Sequence, residues 1–132
     1  MASTTRTRGM LTIGDVADRT GLSLRSVRHY EDVGLLPTTD RSPGGFRLYG
    51  DAAIERLLVV KQMKPLEFTL EEMTELLDHI DELAAGPRAA RRREIEAVLA
   101  GCSASVAQRI GKLQERLAGA KALQESLDRL LP

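Results

Sequence analysis

Apolar residues recur along this chain at helical spacing, and turn residues cut the pattern into short segments. In "TIGDVADRTGLSLRSVRHYEDVGLLP", Thr12 is a good N-cap, and Asp15 stands three residues on, at the spacing of a capping box. Ile13, Val16 and Ala17 share one helical face, and Gly21 stops the helix. Ser23 can cap a second helix in which Leu24, Val27 and Tyr30 face inward, with Gly34 and Pro37 as its stop. Two short helices joined by a glycine turn predict a helix-turn-helix. "TTDRSPGG" is a loop by composition, and the period-two run around Phe46, Arg47, Leu48 and Tyr49 predicts a small hairpin, or wing. Asp51 is expected to cap a third helix, to about Lys64, with Ile54, Leu57, Leu58 and Met63 buried and Pro65 ending it. Thr69 with Glu72 forms another capping box. It opens a helix to about Ala84, whose apolar face is Leu70, Met73, Leu76, Leu77 and Ile80.

Gly86-Pro87 is the clearest break. After it, Ile95, Leu99, Cys102, Val106, Ile110, Leu113, Leu117, Ala120, Leu127 and Leu131 recur mostly at steps of three and four. So narrow a seam cannot fold alone. It predicts a long helix, about 60 Å for 40 residues, that pairs with a second copy as a coiled coil. Gly101, Ser103 and Ser105 weaken it locally, which leaves open whether the helix is kinked or broken near Gly101. The fold class is mainly α: a disordered basic arm over 1–10, a winged helix-turn-helix domain with two additional helices over 11–85, and a coiled-coil dimerisation helix over 88–131.

Composition changes the picture in three ways. Hydrophobic residues are 42% of the 132 and aromatics 3%, so the core is aliphatic. No aromatic lies beyond Phe68, which leaves the C-terminal half without the aromatic-lined pocket a small ligand usually needs. The net charge of zero hides a partition: +3 over residues 1–64, −7 over 65–87 and +4 over 88–132. A neutral total therefore does not exclude a nucleic-acid partner, provided the basic residues share a face. The single cysteine rules out an internal disulfide framework and fits a reducing compartment. No apolar run is long enough for a signal peptide or membrane span, so the expected location is cytoplasmic.

"TIGDVADRTGLSLRSVRHYEDVGLL", "RSPGGFRLYG" and "FTLEEMTELL", in that order and spacing, resemble the MerR family of bacterial transcription regulators. The resemblance covers about Leu11 to Leu83. It implies a winged helix-turn-helix homodimer, joined by a long antiparallel coiled coil, on a pseudo-palindromic promoter element. It implies bending and untwisting of an overlong promoter spacer so that RNA polymerase holoenzyme can use it. This chain resembles a short form, without a dedicated effector-binding domain and without the cysteine clusters of metal-sensing relatives. Two departures stand out: His29-Tyr30 where the family often has an aromatic pair, and Glu67 where it often has glycine.

A recognition helix in the major groove needs donors along one face, which Ser23, Arg25, Arg28 and His29 supply, with Thr12 nearby in sequence. Gly44-Gly45 allows a sharp wing turn with outward amides, and Arg41, Arg47 and Tyr49 can hold phosphates beside the groove. Tyr30 and Phe46 are read mainly as packing residues, the Tyr30 hydroxyl also within reach of a phosphate. Cys102 admits two readings, a sensor thiol or a small residue packed in the dimer seam, and its heptad-like position favours the second. A metal site of His79, nearby carboxylates and a partner's Cys102 is the lesser reading beside a surface histidine. "RAARRREIE" admits a nucleic-acid patch, but is read instead as the solvated start of the long helix, meeting the acidic helix of a neighbouring copy. No nucleophile–base pair, phosphate-binding loop or metal-ligand cluster suggests an enzyme, and no cofactor is expected. The alternative function is a protein-interaction module that uses the same elements without DNA.

Overall fold

The computed structural model describes residues 10–36, 40, 41, 43–45 and 47–132, and only the backbone at 40 and 41. In chain order the elements are α1 (Ile13–Thr20), α2 (Leu24–Asp32), β1 (Asp40–Arg41), β2 (Arg47–Leu48), α3 (Asp51–Met63), a 3₁₀ turn (Lys64–Leu66), α4 (Leu70–Ala84) and α5 (Ala89–Leu130). The chain divides into two compact units, one up to Leu77 and one from Asp78 onward, so the boundary falls inside α4. The expected arm, over 1–10, lies outside the described residues apart from Met10.

The first unit begins as its caps dictate. Asp15 donates its amide to Thr12 Oγ1 at 3.2 Å, and the Thr12 amide donates to Asp15 Oδ2 at 3.0 Å. Two otherwise orphaned donors are thereby satisfied. Gly21, at φ 73°, turns the chain out of α1 while its amide reaches Ala17 O. Lys61 of α3 donates to the carbonyl of Thr20 at 2.8 Å and so ties α3 to the end of α1. Ser23 caps α2 by accepting from the Ser26 amide at 3.0 Å. Val27 and Tyr30 turn inward, but Leu24, expected inside, is exposed. It sits in the first turn of the helix. Gly34 then lets the chain reverse, and Leu35 and Leu36 are buried.

The wing is a two-stranded antiparallel ribbon in which Asp40 pairs with Leu48 and Arg41 with Arg47. Its base is clamped to the start of the domain. Leu11 donates to Tyr49 O at 2.6 Å, and Tyr49 donates to Leu11 O at 2.8 Å. Gly50, not Asp51, stands at the N-cap of α3 and makes no side-chain cap, so Asp51 is the first helical residue. The buried face of α3 also differs from expectation. It is Ala53, Arg56, Leu57, Val60 and Met63, while Leu58 is exposed and Ile54 only half-buried. Arg56 is buried because its Nε donates to the Leu35 carbonyl at 2.9 Å, an acceptor no local pattern reveals. Pro65 does not end the helix abruptly; the chain tightens into the 3₁₀ turn and leaves it through Glu67 at φ 64°. The second capping box forms as expected, with the Glu72 amide on Thr69 Oγ1 at 3.1 Å and the Thr69 amide on Glu72 Oε1 at 2.8 Å. Met73 and Leu77 are buried, Leu76 and Ile80 half-buried, and Leu70 is exposed at the open first turn of α4.

In the second unit, Gly86 at φ 75° and Pro87 separate α4 from α5. Arg91 grips Glu82 with two bonds, Nε to Oε2 at 2.6 Å and Nη2 to Oε1 at 2.8 Å. Arg91, in the basic run at the start of α5, thus meets the acidic helix of its own chain, where that of a neighbour was expected, because the short Gly86-Pro87 turn brings the two within reach. That hydrogen bond holds the Glu82 carboxyl below its ordinary range and raises the Arg91 guanidinium. The 42-residue α5 runs without interruption through Gly101, which answers the question the sequence left open. Its 3.6-residue ladder closes over a single glycine, whose cost is about 1 kcal/mol relative to alanine.

Candidate nucleic-acid interface

α1, α2 and the wing meet around one groove. A cavity of about 360 Å³ is lined by Thr12, Ile13, Arg28, Glu31, Asp32, Gly45, Arg47 and Tyr49. Each element delivers its residues for a local reason. The N-cap puts Thr12 at the rim. The inward turn of Val27 and Tyr30 leaves Arg25, Arg28 and His29 exposed on the opposite side of α2. The Leu11–Tyr49 bridge fixes the wing base, so Arg47 stands over the groove.

Of the expected contact residues, the groove gathers Thr12, Arg28, Gly45, Arg47 and Tyr49. Ser23, Arg25, His29 and Gly44 are exposed but do not line it. Phe46 and the Arg41 side chain lie outside the described residues. Two expected phosphate contacts are placed inside instead. Tyr30 is buried, with its ring 5.5 Å from that of His29. Tyr49 is fully buried, and its hydroxyl donates to Glu31 Oε2 at 2.9 Å. Burial first, and then this hydrogen bond, push the Tyr49 phenol up to about 12. The neutral hydroxyl is therefore the form the fold holds.

Sequence reasoning missed Glu31. Its carboxylate takes Arg47 Nη1 on Oε1 and Tyr49 on Oε2, which binds the end of α2 to the wing. The hydrogen bond to Glu31 raises the Arg47 guanidinium further above its ordinary value. The available signal was a pair of acids, Glu31 and Asp32, after the basic residues of the helix. The Glu31 partner Arg47 lies 16 residues away, beyond any local pattern. Among the described residues no three His, Cys, Asp or Glu side chains come together as a metal set, and no helix is long and apolar enough to cross a membrane.

Residues 11–80, more than half of the chain, match the MerR helix-turn-helix family of regulatory proteins. The chain belongs to the MerR family. This MerR-family chain is 31% identical over 116 residues to the transcriptional regulator CueR of Salmonella typhimurium, covering 88% of itself and 80% of CueR. It is 39% identical over 114 residues to the transcriptional activator TipA of Streptomyces coelicolor, covering 86% of itself but 41% of TipA's length. Its fold matches that of HiNmlR, a MerR-family regulator lacking the sensor domain and solved on promoter DNA. The TM-score is 0.68 at 19% identity, and the match covers 91% of each chain. Such relatives are transcription regulators and not enzymes.

Proposed function

We propose that the protein is a sequence-specific DNA-binding regulator of transcription. It acts as a homodimer on a pseudo-palindromic promoter element and distorts the spacer DNA. The observation that carries this reading is the exposed basic edge of α2, with Arg25, Arg28 and His29, of which Arg28 lines one groove together with the wing's Arg47. Arg25 and Arg28 are suited to guanine edges or phosphates. Ser23, Thr12, Arg41, the Gly44-Gly45 amides, Phe46 and Arg47 complete the proposed contact set, with Tyr30 and Tyr49 supporting it from within. The family membership and the fold of a relative on promoter DNA support the same reading.

Dimerisation is proposed along α5. Ile110, Leu113, Leu117 and Leu127 are exposed in the single chain, Leu99, Cys102 and Val106 are half-buried, and Ile95 is already covered. A regular apolar stripe on a helix of this length is covered in water by a second copy. Cys102 belongs to that stripe by position. RNA polymerase holoenzyme is the proposed partner at the promoter, and no effector is assigned.

The test is selection of the intact protein against random duplexes, followed by gel shifts of the winner across a salt series. The expected result is one dimer-sized complex whose affinity falls steeply with salt. Arg28→Ala should weaken it by roughly 1–3 kcal/mol and relax one base position. A folded dimer that selects no duplex sinks the DNA reading and leaves the protein-interaction module.

A further inference from the structure

A carboxylate lining a groove meant for a polyanion is repulsive on Coulomb grounds, so Glu31 needs a reason to be there. Its side chain is only 8% exposed, whereas that of Arg47 is 46% exposed. The carboxylate therefore lies underneath and the guanidinium faces out. Both carboxylate oxygens are engaged, one by Arg47 and one by the Tyr49 hydroxyl. Tyr49 is itself held in place: it is fully buried, and its backbone is hydrogen-bonded to Leu11 in both directions. The chain of contacts thus runs from a rigid backbone bridge through a buried phenol and a covered carboxylate to an outward arginine. An arginine has five N–H donors in a planar fork, and one end of that fork suffices for Glu31. An incoming phosphate reaches the guanidinium from the solvent side and does not need to displace the acid.

We infer that Glu31 is a positioning residue: it holds the Arg47 guanidinium on the wing in the orientation in which its outer N–H donors meet a DNA phosphate. The inference rests on the DNA-binding reading above. Its physical basis is preorganisation, since side-chain freedom given up during folding is not lost again on binding. The opposite arrangement, in which Glu31 occupies the phosphate's place and sequesters Arg47, predicts effects of the opposite sign.

The experiment measures affinity for the selected duplex across a salt series for wild type, Glu31→Gln, Arg47→Ala and the double variant. Glu31→Gln should weaken binding about three- to tenfold, the loss expected for one side chain that must now be immobilised on binding. Its slope of log K against log salt should be shallower, by up to about 0.9, the value of one phosphate contact. In the Arg47→Ala background the same change should have no effect. Glu31→Asp keeps the charge but is one methylene short, and serves if the glutamine variant fails to fold; it should show the same dependence on Arg47. Phenol absorbance gives a readout without DNA: in Glu31→Gln the Tyr49 ionisation should fall from about 12. Equal or tighter binding by Glu31→Gln, a loss that persists without Arg47, or an unmoved phenol would each overturn the inference. Failure of the wild type to bind any duplex removes the DNA reading, and this inference with it.

Discussion

Glu67 shows how one residue records a conflict between sequence and backbone. It sits at φ 64°, among the described residues the one non-glycine residue in left-handed conformation. That conformation places Cβ against the following carbonyl oxygen at a cost of roughly 1–2 kcal/mol. The resembled family often has glycine at this place, and here a glutamate takes the left-handed turn and bears its strain. Glu67→Gly should therefore raise stability by roughly 0.5–1 kcal/mol, after the extra freedom of glycine in the unfolded chain is subtracted. Urea denaturation checks this, and an unchanged or lower midpoint would mean that the side chain's own contacts outweigh the strain. Tyr49 is the complementary case. Its alternation with Leu48 was visible, but its orientation was not, because the bridge to Leu11 and the acceptor on Glu31 come from residues far away in sequence.

At the scale of elements, helix starts were legible and helix faces less so. Thr12, Ser23 and Thr69 each cap as their side-chain chemistry requires, because a cap depends on atoms within three residues. The buried face of α3 instead depends on what packs against it, which explains Arg56 inside and Leu58 outside. α5 settles the question at Gly101 by its context: scattered weak residues such as Gly101, Ser103 and Ser105 do not break a ladder with many strong helix formers around them. A Cβ at Gly101 meets nothing within 4 Å. Gly101→Ala should thus stabilise the helix by about 1 kcal/mol, read as a higher melting temperature by circular dichroism. Loss of stability would show that the glycine is needed for a close approach of the second copy. At the α4–α5 turn, the lowered Glu82 carboxyl contributes stability that is present above its ordinary value near 4.5 and is lost as pH falls through its folded value. Arg91→Ala should flatten that part of an acid-unfolding curve; an unaltered curve would show that the pair contributes nothing measurable.

At the scale of the whole molecule, the exposed stripe of α5 is the largest feature one chain leaves unresolved. Leu113 and Leu117 are 39% and 55% exposed, at adjacent positions of the seam. Leu113→Asp with Leu117→Asp would bury two unpaired carboxylates in a paired coil, at several kcal/mol. Sedimentation should then give a monomer whose first unit stays folded and whose affinity for the duplex drops at least a hundredfold, because two half-sites no longer act together. A dimer that survives both substitutions would place the contact elsewhere.

The sequence by itself determined the capped helix starts at Thr12, Ser23 and Thr69, the turn glycines and the apolar period of α5, since each is set by interactions within about four residues. Its motifs were also dense enough over residues 11–83 to indicate the family. Only the tertiary structure decided which side chains share the groove. Glu31 beneath Arg47, Tyr49 turned inside and Arg56 reaching Leu35 are pairings across 16 to 21 residues. Such contacts depend on how whole elements pack, and a covered carboxylate or arginine is stable only where that packing supplies its partner.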